Sequence, residues 1–71
     1  AMTLFDTLRA WRRAEAARQR VPPYVIFQDQ TLADIARAKP ASREALLAIE
    51  GVGQGKLARY GAAVLGMVAG E

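Results

Sequence analysis

The chain has 71 residues, no cysteine, no histidine and a formal net charge of +3 at pH 7. A chain of this length forms one small domain with little room for a catalytic cavity. Without cysteine it can form neither a disulfide framework nor a thiolate metal site, and without histidine it lacks the commonest acid–base side chain. We therefore expect a domain that is not an enzyme and needs no cofactor or metal.

Charge and hydropathy along the chain bear on its partners and its location. Residues 1–20 contain five arginines against two acidic residues, residues 21–50 are slightly acidic, and residues 51–71 are slightly basic again. The longest apolar run, near residues 62–69, is far short of the ~20 residues that cross a bilayer, and no signal peptide is recognisable. We expect a cytoplasmic monomer without membrane contact.

Residues 3–20 have the periodicity of an amphipathic helix. One side carries Leu4, Phe5, Leu8 and Trp11, and another carries Arg9, Arg13 and Arg20. Trp11 at this spacing is expected to pack rather than to stack on a ligand. The basic side is able to line a phosphate track, although a charged stripe on a helix is more often only a solvated face.

Proline residues punctuate the next segment. Val21-Pro22-Pro23 predicts the end of the first helix, because the residue before a proline is pushed out of the α region and a proline pair cannot continue the helix. The apolar run Tyr24–Phe27 is too short to assign as a strand, and a single helical turn or an extended buried connector fits it equally well. Ile26 and Phe27 are expected in the core.

Two shorter helices are predicted in the middle of the chain. Thr31-Leu32-Ala33-Asp34 has the spacing of a capping box and predicts a helix start, and Pro40 closes that helix. Ser42 is the expected N-cap of a fourth helix, which runs into the turn at Gly51. The apolar residues of this fourth helix are Leu46, Leu47 and Ile49.

The glycine pair Gly51 and Gly53 predicts a helix-hairpin-helix turn, in which the chain reverses at positive φ and Val52 packs beneath the two helices. A last helix is predicted from about Gln54, and Gly61 within it predicts the close approach of another backbone. The apolar stripe of this helix consists of Leu57, Tyr60, Val64, Leu65 and Val68.

This turn is a candidate anion site. Its backbone N–H groups face outward at a helix N-terminus, and together with Lys56 they are able to hold a phosphate. The alternative is a tight linker whose amides are satisfied by solvent. A nucleotide-binding P-loop is excluded, because it needs glycine and serine or threonine where this chain has Glu50 and Leu57. A dinucleotide fingerprint fails because Lys56 occupies the third glycine position.

Arg12 lies at the margin of the apolar face of the first helix. A guanidinium there is costly to desolvate unless a carboxylate meets it, and Asp29 or Asp34 could be that partner. We therefore interpret Arg12 as structural. The remaining acids considered offer no paired-carboxylate geometry for catalysis or metal binding: Asp6, Glu15, Glu44 and Glu50.

One set of residues runs along most of the chain. It comprises Leu4-Phe5, Leu8-Arg9, Val21-Pro22-Pro23-Tyr24-Val25-Ile26-Phe27, Asp29, Thr31-Leu32, Ile35-Ala36, Pro40, Ile49-Glu50-Gly51-Val52-Gly53, Lys56 and Tyr60-Gly61. This set resembles the HRDC domain, a family named after helicases and RNase D, and the resemblance covers Leu4 to Val68. It implies an all-α fold, a small single-domain bundle of about five helices with a helix-hairpin-helix-like turn. The domain is expected over residues 3–69, with Ala1 and Met2 as a cloning remnant.

The resemblance also implies a parent protein, most similar to a bacterial RecQ-type DNA helicase acting in DNA repair and recombination, with an RNase D-like exonuclease as the second option. In either parent the domain is an accessory that helps to bind and place nucleic acid, while other domains hydrolyse ATP or cleave phosphodiesters. One departure is Arg20, where many relatives have a glycine or another small polar residue before the proline pair.

The candidate interface combines one aromatic ring with several anion-binding groups. Tyr24 is suited to stack on an unpaired base, because a rigid ring beside a proline corner loses little entropy on binding; the alternative is core packing. The predicted nucleic-acid site consists of Tyr24, Arg20, Gly53, Gln54, Lys56 and Arg59.

Two functions from different classes follow. The first is weak, non-catalytic binding of single-stranded or branched DNA. The alternative is a regulatory module that docks on the helicase core or on another protein, which the acidic middle segment favours. A continuous positive strip supports the first, whereas arginines neutralised by Asp29, Asp34 and Glu50 support the second.

Overall fold

A computed structural model describes residues 2–71 of the chain. Its elements are α1 (Leu4–Gln19), α2 (Pro23–Ile26), α3 (Asp29–Ala38), α4 (Arg43–Leu47) and α5 (Gln54–Ala69). The prediction of an all-α bundle of about five helices is confirmed, and residues 2–71 contain no strand. Helix α1 packs against α2, α3 and α5, and α4 packs against α5. The expected cloning remnant includes Ala1, which lies outside the described residues.

Helix α1 begins with a reciprocal cap. The Thr3 hydroxyl accepts a hydrogen bond from the Asp6 amide, and the Asp6 carboxylate accepts one from the Thr3 amide. This arrangement satisfies two of the amides that a helix start leaves unpaired. Its buried residues recur every fourth position at Leu4, Leu8, Arg12 and Ala16. The helix ends at Gln19, and its C-cap residue Arg20 has a left-handed backbone with φ 58°.

The run after the proline pair forms a single helical turn, α2. Pro23 occupies its first position, where the missing N–H is no loss and the fixed φ suits a helix. Ile26 and Phe27 are fully buried, as predicted. Among the alternatives for this run, the helical turn is therefore correct, and it presents Tyr24 and Val25 to the surface.

The capping box predicted at Thr31–Asp34 is wrong. Helix α3 begins at Asp29, its N-cap is Gln28 without a side-chain hydrogen bond, and Thr31 is buried inside the helix. The Thr31 hydroxyl donates to the carbonyl of Glu50 at 3.3 Å. The Thr31 hydroxyl, which the sequence pattern predicts as a local helix cap, therefore makes a tertiary hydrogen bond to the hairpin instead.

The connection from α4 to α5 is the predicted hairpin. The hydroxyl of Ser42 accepts from the Ala45 amide and caps α4, as expected. Val52 is 4% exposed. Of the two glycines, Gly51 alone has a positive φ, at 93°, and a Cβ there would overlap the Thr31 hydroxyl. Gly53 is extended, with φ −86°. The sharp reversal therefore depends on one glycine of the pair.

Helix α5 starts at Gln54, as predicted, and buries the inner part of its apolar stripe. Its buried residues are Leu57, Tyr60, Gly61 and Val64. The predicted close approach of another backbone at Gly61 is wrong. The atoms nearest to a Cβ built there are Leu57 Cδ1 at 3.0 Å and Arg43 Nη1 at 3.3 Å, and both belong to side chains. None of the helices within residues 2–71 is long and apolar enough to span a bilayer.

Candidate nucleic-acid interface

Tyr24 lies at the surface on the short helix α2. It is 65% exposed, and the adjacent Val25 is 44% exposed. The turn is held beneath them by Ile26 and Phe27, which are both buried. The core-packing alternative for Tyr24 is therefore wrong, and its predicted contact with a base stays a prediction.

Lys56 brings the start of α5 to this turn. Its ammonium group donates to the Val25 carbonyl at 3.3 Å and lies 5.4 Å from the centre of the Phe27 ring, within cation–π range. Two independent contacts thus hold a cation against the segment that displays Tyr24. Residues 31 positions apart in the chain, Val25 and Lys56, meet at one surface.

The hairpin end of α5 presents an uncapped helix start. Gly53 is the N-cap, no side chain accepts from the first amides, and Gly53 and Gln54 are both exposed. Unpaired N–H groups at a helix N-terminus carry a partial positive charge. Gly53, Gln54 and Lys56 therefore form one end of the predicted site.

Arg59 belongs to a separate groove between α1 and α5. The groove has a volume of about 370 Å³ and is lined by Trp11, Glu15, Arg18, Gln19, Arg59, Tyr60 and Ala63. Its floor is fixed by the Trp11 and Tyr60 rings, which meet edge to face at 5.4 Å, and by a 2.8 Å hydrogen bond from the Gln19 amide to the Tyr60 hydroxyl. Trp11 is thus mainly a packing residue, as predicted.

Glu15 is the acidic member of this groove, and sequence reasoning missed its role. Its carboxylate accepts hydrogen bonds from Arg18 and Gln19. The hydrogen bond from Arg18, followed by that from Gln19, lowers the pKa of the Glu15 carboxyl, and the same Arg18 contact raises the pKa of the guanidinium. Arg18 and Gln19 follow Glu15 by three and four positions, the spacings at which helix side chains meet, so the sequence could have indicated these contacts.

Three ion pairs divide the arginines into neutralised and available groups. Arg12 pairs with Asp29 at 2.6 Å, Arg18 pairs with Glu15, and Arg37 pairs with Asp34. Asp29 and Asp34 therefore do neutralise arginines, but not those of the predicted site. Within residues 2–71, no ion pair involves Arg20, Lys56, Arg59 or Glu50.

Arg12 is structural, as interpreted from the sequence. It is 7% exposed, and its guanidinium donates to the Phe27 carbonyl at 2.8 Å and to Asp29 at 2.6 Å. Of the two candidate partners, Asp29 is correct. These contacts tie α1 to the chain that leaves α2, and so they fix the base of the turn that carries Tyr24.

The predicted site residues do not all share contacts. Lys56 meets the Tyr24 turn, whereas Arg59 lines the α1–α5 groove. Arg20 is exposed and directly follows Gln19, the α1 residue bonded to Tyr60. Within the described chain, no side-chain hydrogen bond or ion pair joins Arg20 to the other members.

A family model described as "HRDC domain" matches residues 1–68. The chain belongs to the HRDC family. The resemblance drawn from the sequence is therefore confirmed. An HRDC domain is a non-catalytic accessory domain. Within residues 2–71, no three acidic, histidine or cysteine side chains are grouped so that they could hold a metal ion.

Proteins similar to this HRDC domain include helicases of two kinds. The ATP-dependent DNA helicase RecQ of Bacillus subtilis is 48% identical over 58 residues, which cover 82% of this chain and 10% of the relative. The ATP-dependent DNA helicase UvrD2 of Mycobacterium tuberculosis is 48% identical over 64 residues, which cover 90% of this chain and 9% of the relative. The chain thus spans about a tenth of the length of these relatives.

A solved structure gives the same fold. The D. radiodurans RecQ HRDC domain 3 superposes with a TM-score of 0.89 at 25% identity, covering 94% of this chain and 88% of that one. Ribonuclease D of Granulibacter bethesdensis is also similar, at 37% identity over 93% of this chain and 17% of its own length. Both kinds of parent named by the resemblance therefore occur among the relatives.

Proposed function

We propose that this HRDC domain is an accessory nucleic-acid-binding module of a DNA helicase, and that it binds single-stranded or branched DNA weakly. The observation that carries the proposal is the exposed Tyr24 ring on a turn to which Lys56 is held by two contacts. An exposed ring beside a fixed cation matches the way in which proteins bind single strands, with bases stacked and phosphates neutralised.

The other predicted ligands extend this site. Gly53 and Gln54 offer amides beside Lys56, and Arg20 and Arg59 carry charge that no acid of residues 2–71 cancels. A parent of the RecQ or UvrD2 kind, a role in DNA repair and recombination, and a cytoplasmic location accord with the helicase relatives. They remain part of the proposal because the chain spans so little of those proteins.

Fluorescence anisotropy with a dye-labelled oligo-dT tests the proposal. Three phosphate contacts, from Arg20, Lys56 and Arg59, contribute about −2 to the slope of log affinity against log salt, since each contributes ~0.7 on a single strand. Tyr24→Ala is expected to weaken binding by ~1–3 kcal/mol, and Tyr24→Phe to retain most of it, because stacking needs only the ring.

As a control, circular dichroism measures whether each variant keeps its fold. Tyr24 is exposed, so neither substitution should disturb the core. A folded Tyr24→Ala variant with unchanged affinity would exclude the stacking role, and a salt-independent affinity would exclude the phosphate contacts.

A second candidate function is docking on the helicase core or on another protein. The observation that favours it is the exposed Val25 beside Tyr24, since adjacent apolar side chains at a surface are typical of protein contacts. Val25→Ser distinguishes the two functions. It should leave oligo-dT binding unchanged if Tyr24 stacks on a base, and it should weaken a contact with a separately purified helicase core if the turn docks on protein.

A further inference from the structure

A second groove with basic side chains lies between α1 and the first residue of α2. It has a volume of about 440 Å³ and is lined by Asp6, Arg9, Ala10, Arg12, Arg13 and Pro23. Its lining shares no residue with that of the α1–α5 groove. Pro23 directly precedes Tyr24, so one lining residue of this groove belongs to the helical turn that carries the exposed ring.

The charge of this groove is unbalanced towards cations. Arg9 and Arg13, one helical turn apart, take part in no ion pair within residues 2–71. Arg12 is already neutralised by Asp29. The opposing carboxylate is Asp6, which is engaged by the Thr3 amide at 3.2 Å. Two guanidinium groups without an acidic partner in residues 2–71 therefore share the groove with one carboxylate, which already accepts a hydrogen bond in the helix cap.

The groove is also partly fixed before any ligand arrives. The Arg9 guanidinium lies 5.5 Å from the centre of the Phe5 ring, a cation–π contact that restrains this side chain. The Arg12 side chain is anchored at both terminal nitrogens, while its Nε is buried without a hydrogen-bond partner. Two arginines one helical turn apart in the same groove suit a phosphate, because the planar donors of a guanidinium match its oxygens.

We propose that the α1–α2 groove binds one phosphate group of the strand whose base stacks on Tyr24, with Arg9 and Arg13 as the ligands. This inference rests on the proposed function for the origin of the phosphate. A strand held in this way meets cations next to both chain neighbours of Tyr24: Lys56 at the Val25 carbonyl, and the arginine pair in the groove that Pro23 lines. It adds a fourth phosphate contact to the three already named.

The test uses two ligands. Inorganic pyrophosphate is titrated at constant ionic strength while NMR follows the Arg12 Nε–H and the Ala10 amide, both of which survive in the variant Arg9→Gln/Arg13→Gln. A saturable shift of both signals is expected in the unmodified chain and should be lost in this variant. Oligo-dT anisotropy is then measured over a salt series, where the variant should reduce the slope by about 0.7, one single-strand contact.

Arg37→Gln/Lys39→Asn is the matched control, because it lowers the net charge equally at the end of α3 and touches neither groove. Asparagine suits the left-handed backbone of Lys39, φ 48°. This control should keep the pyrophosphate response and the full oligo-dT slope.

The outcomes separate the two proposals. Absence of a saturable pyrophosphate shift overturns the groove proposal, even if oligo-dT binds through Tyr24 and Lys56. A pyrophosphate response without any oligo-dT binding supports an anion site and overturns the proposed function instead. Oligo-dT binding whose slope the double variant leaves unchanged removes the groove from the path of the strand.

Discussion

At the scale of single residues, Arg20 holds a backbone conformation that glycine adopts more easily. Its φ of 58° places it in the left-handed region, where a residue with a Cβ is less favourable by about 1–2 kcal/mol. A glycine would avoid this cost, but it loses about 0.5–1 kcal/mol more in conformational entropy on folding, which offsets part of the gain. A glycine at this position would therefore be favoured by the local backbone.

We predict that Arg20→Gly raises the free energy of unfolding by about 0.5–1 kcal/mol, measured by urea denaturation. Arg20→Ala removes the same charge but keeps a Cβ, so it should show no such gain. Both variants should weaken oligo-dT binding equally if Arg20 contacts a phosphate. A stability gain in both variants would assign the effect to charge rather than to the backbone.

At the scale of elements, the sequence predicted those parts that local signals control. Proline and glycine breaks, the Ser42 cap and the 3.6-residue periodicity located α1, α4 and α5. The start of α3 was misplaced because the Thr31 hydroxyl bonds a carbonyl 19 residues away, which no local pattern encodes. The same limit applies to the site: the sequence places Lys56 one turn after the hairpin, but its contact with Val25 requires the folded chain.

At the start of α5, one substitution is expected to change the stability of the fold and the affinity for oligo-dT in opposite directions. We predict that Gly53→Asp stabilises the fold by about 0.5–1 kcal/mol, because a carboxylate at an N-cap accepts from the first amides and complements the helix dipole. The site has room, since a Cβ at Gly53 meets no atom within 4 Å. The same carboxylate should weaken oligo-dT binding, because it occupies the amides and repels phosphate beside Lys56.

Gly53→Asn is the matched variant, which caps without charge. It should stabilise slightly less and weaken oligo-dT binding less than the aspartate does. Thermal unfolding and anisotropy on the same samples give both quantities. Unchanged DNA affinity in Gly53→Asp would mean that the hairpin amides serve only to link α4 to α5.

At the scale of the whole molecule, the fold sets how much of its positive charge is available. The chain carries a net charge of +3, but one of the arginines beside the α1–α5 groove is cancelled by Glu15. Because the pKa of this carboxyl is lowered, it stays ionised at neutral pH. Its contact with Arg18 favours the folded state above the unfolded pKa of 4.5 and is lost as the pH falls through the lower folded-state value.

If the groove contacts DNA as proposed, Glu15 is expected to lower its affinity. We predict that Glu15→Gln strengthens oligo-dT binding at neutral pH by a factor of about 2–5, the scale of one exposed ion pair, and steepens the salt slope by about 0.7 as Arg18 becomes available. Glu44→Gln on α4 is the control, with the same change in net charge and no ion pair within residues 2–71. Equal effects of the two substitutions would show that net charge, rather than the placement of Glu15 beside Arg18 and Arg59, sets the affinity.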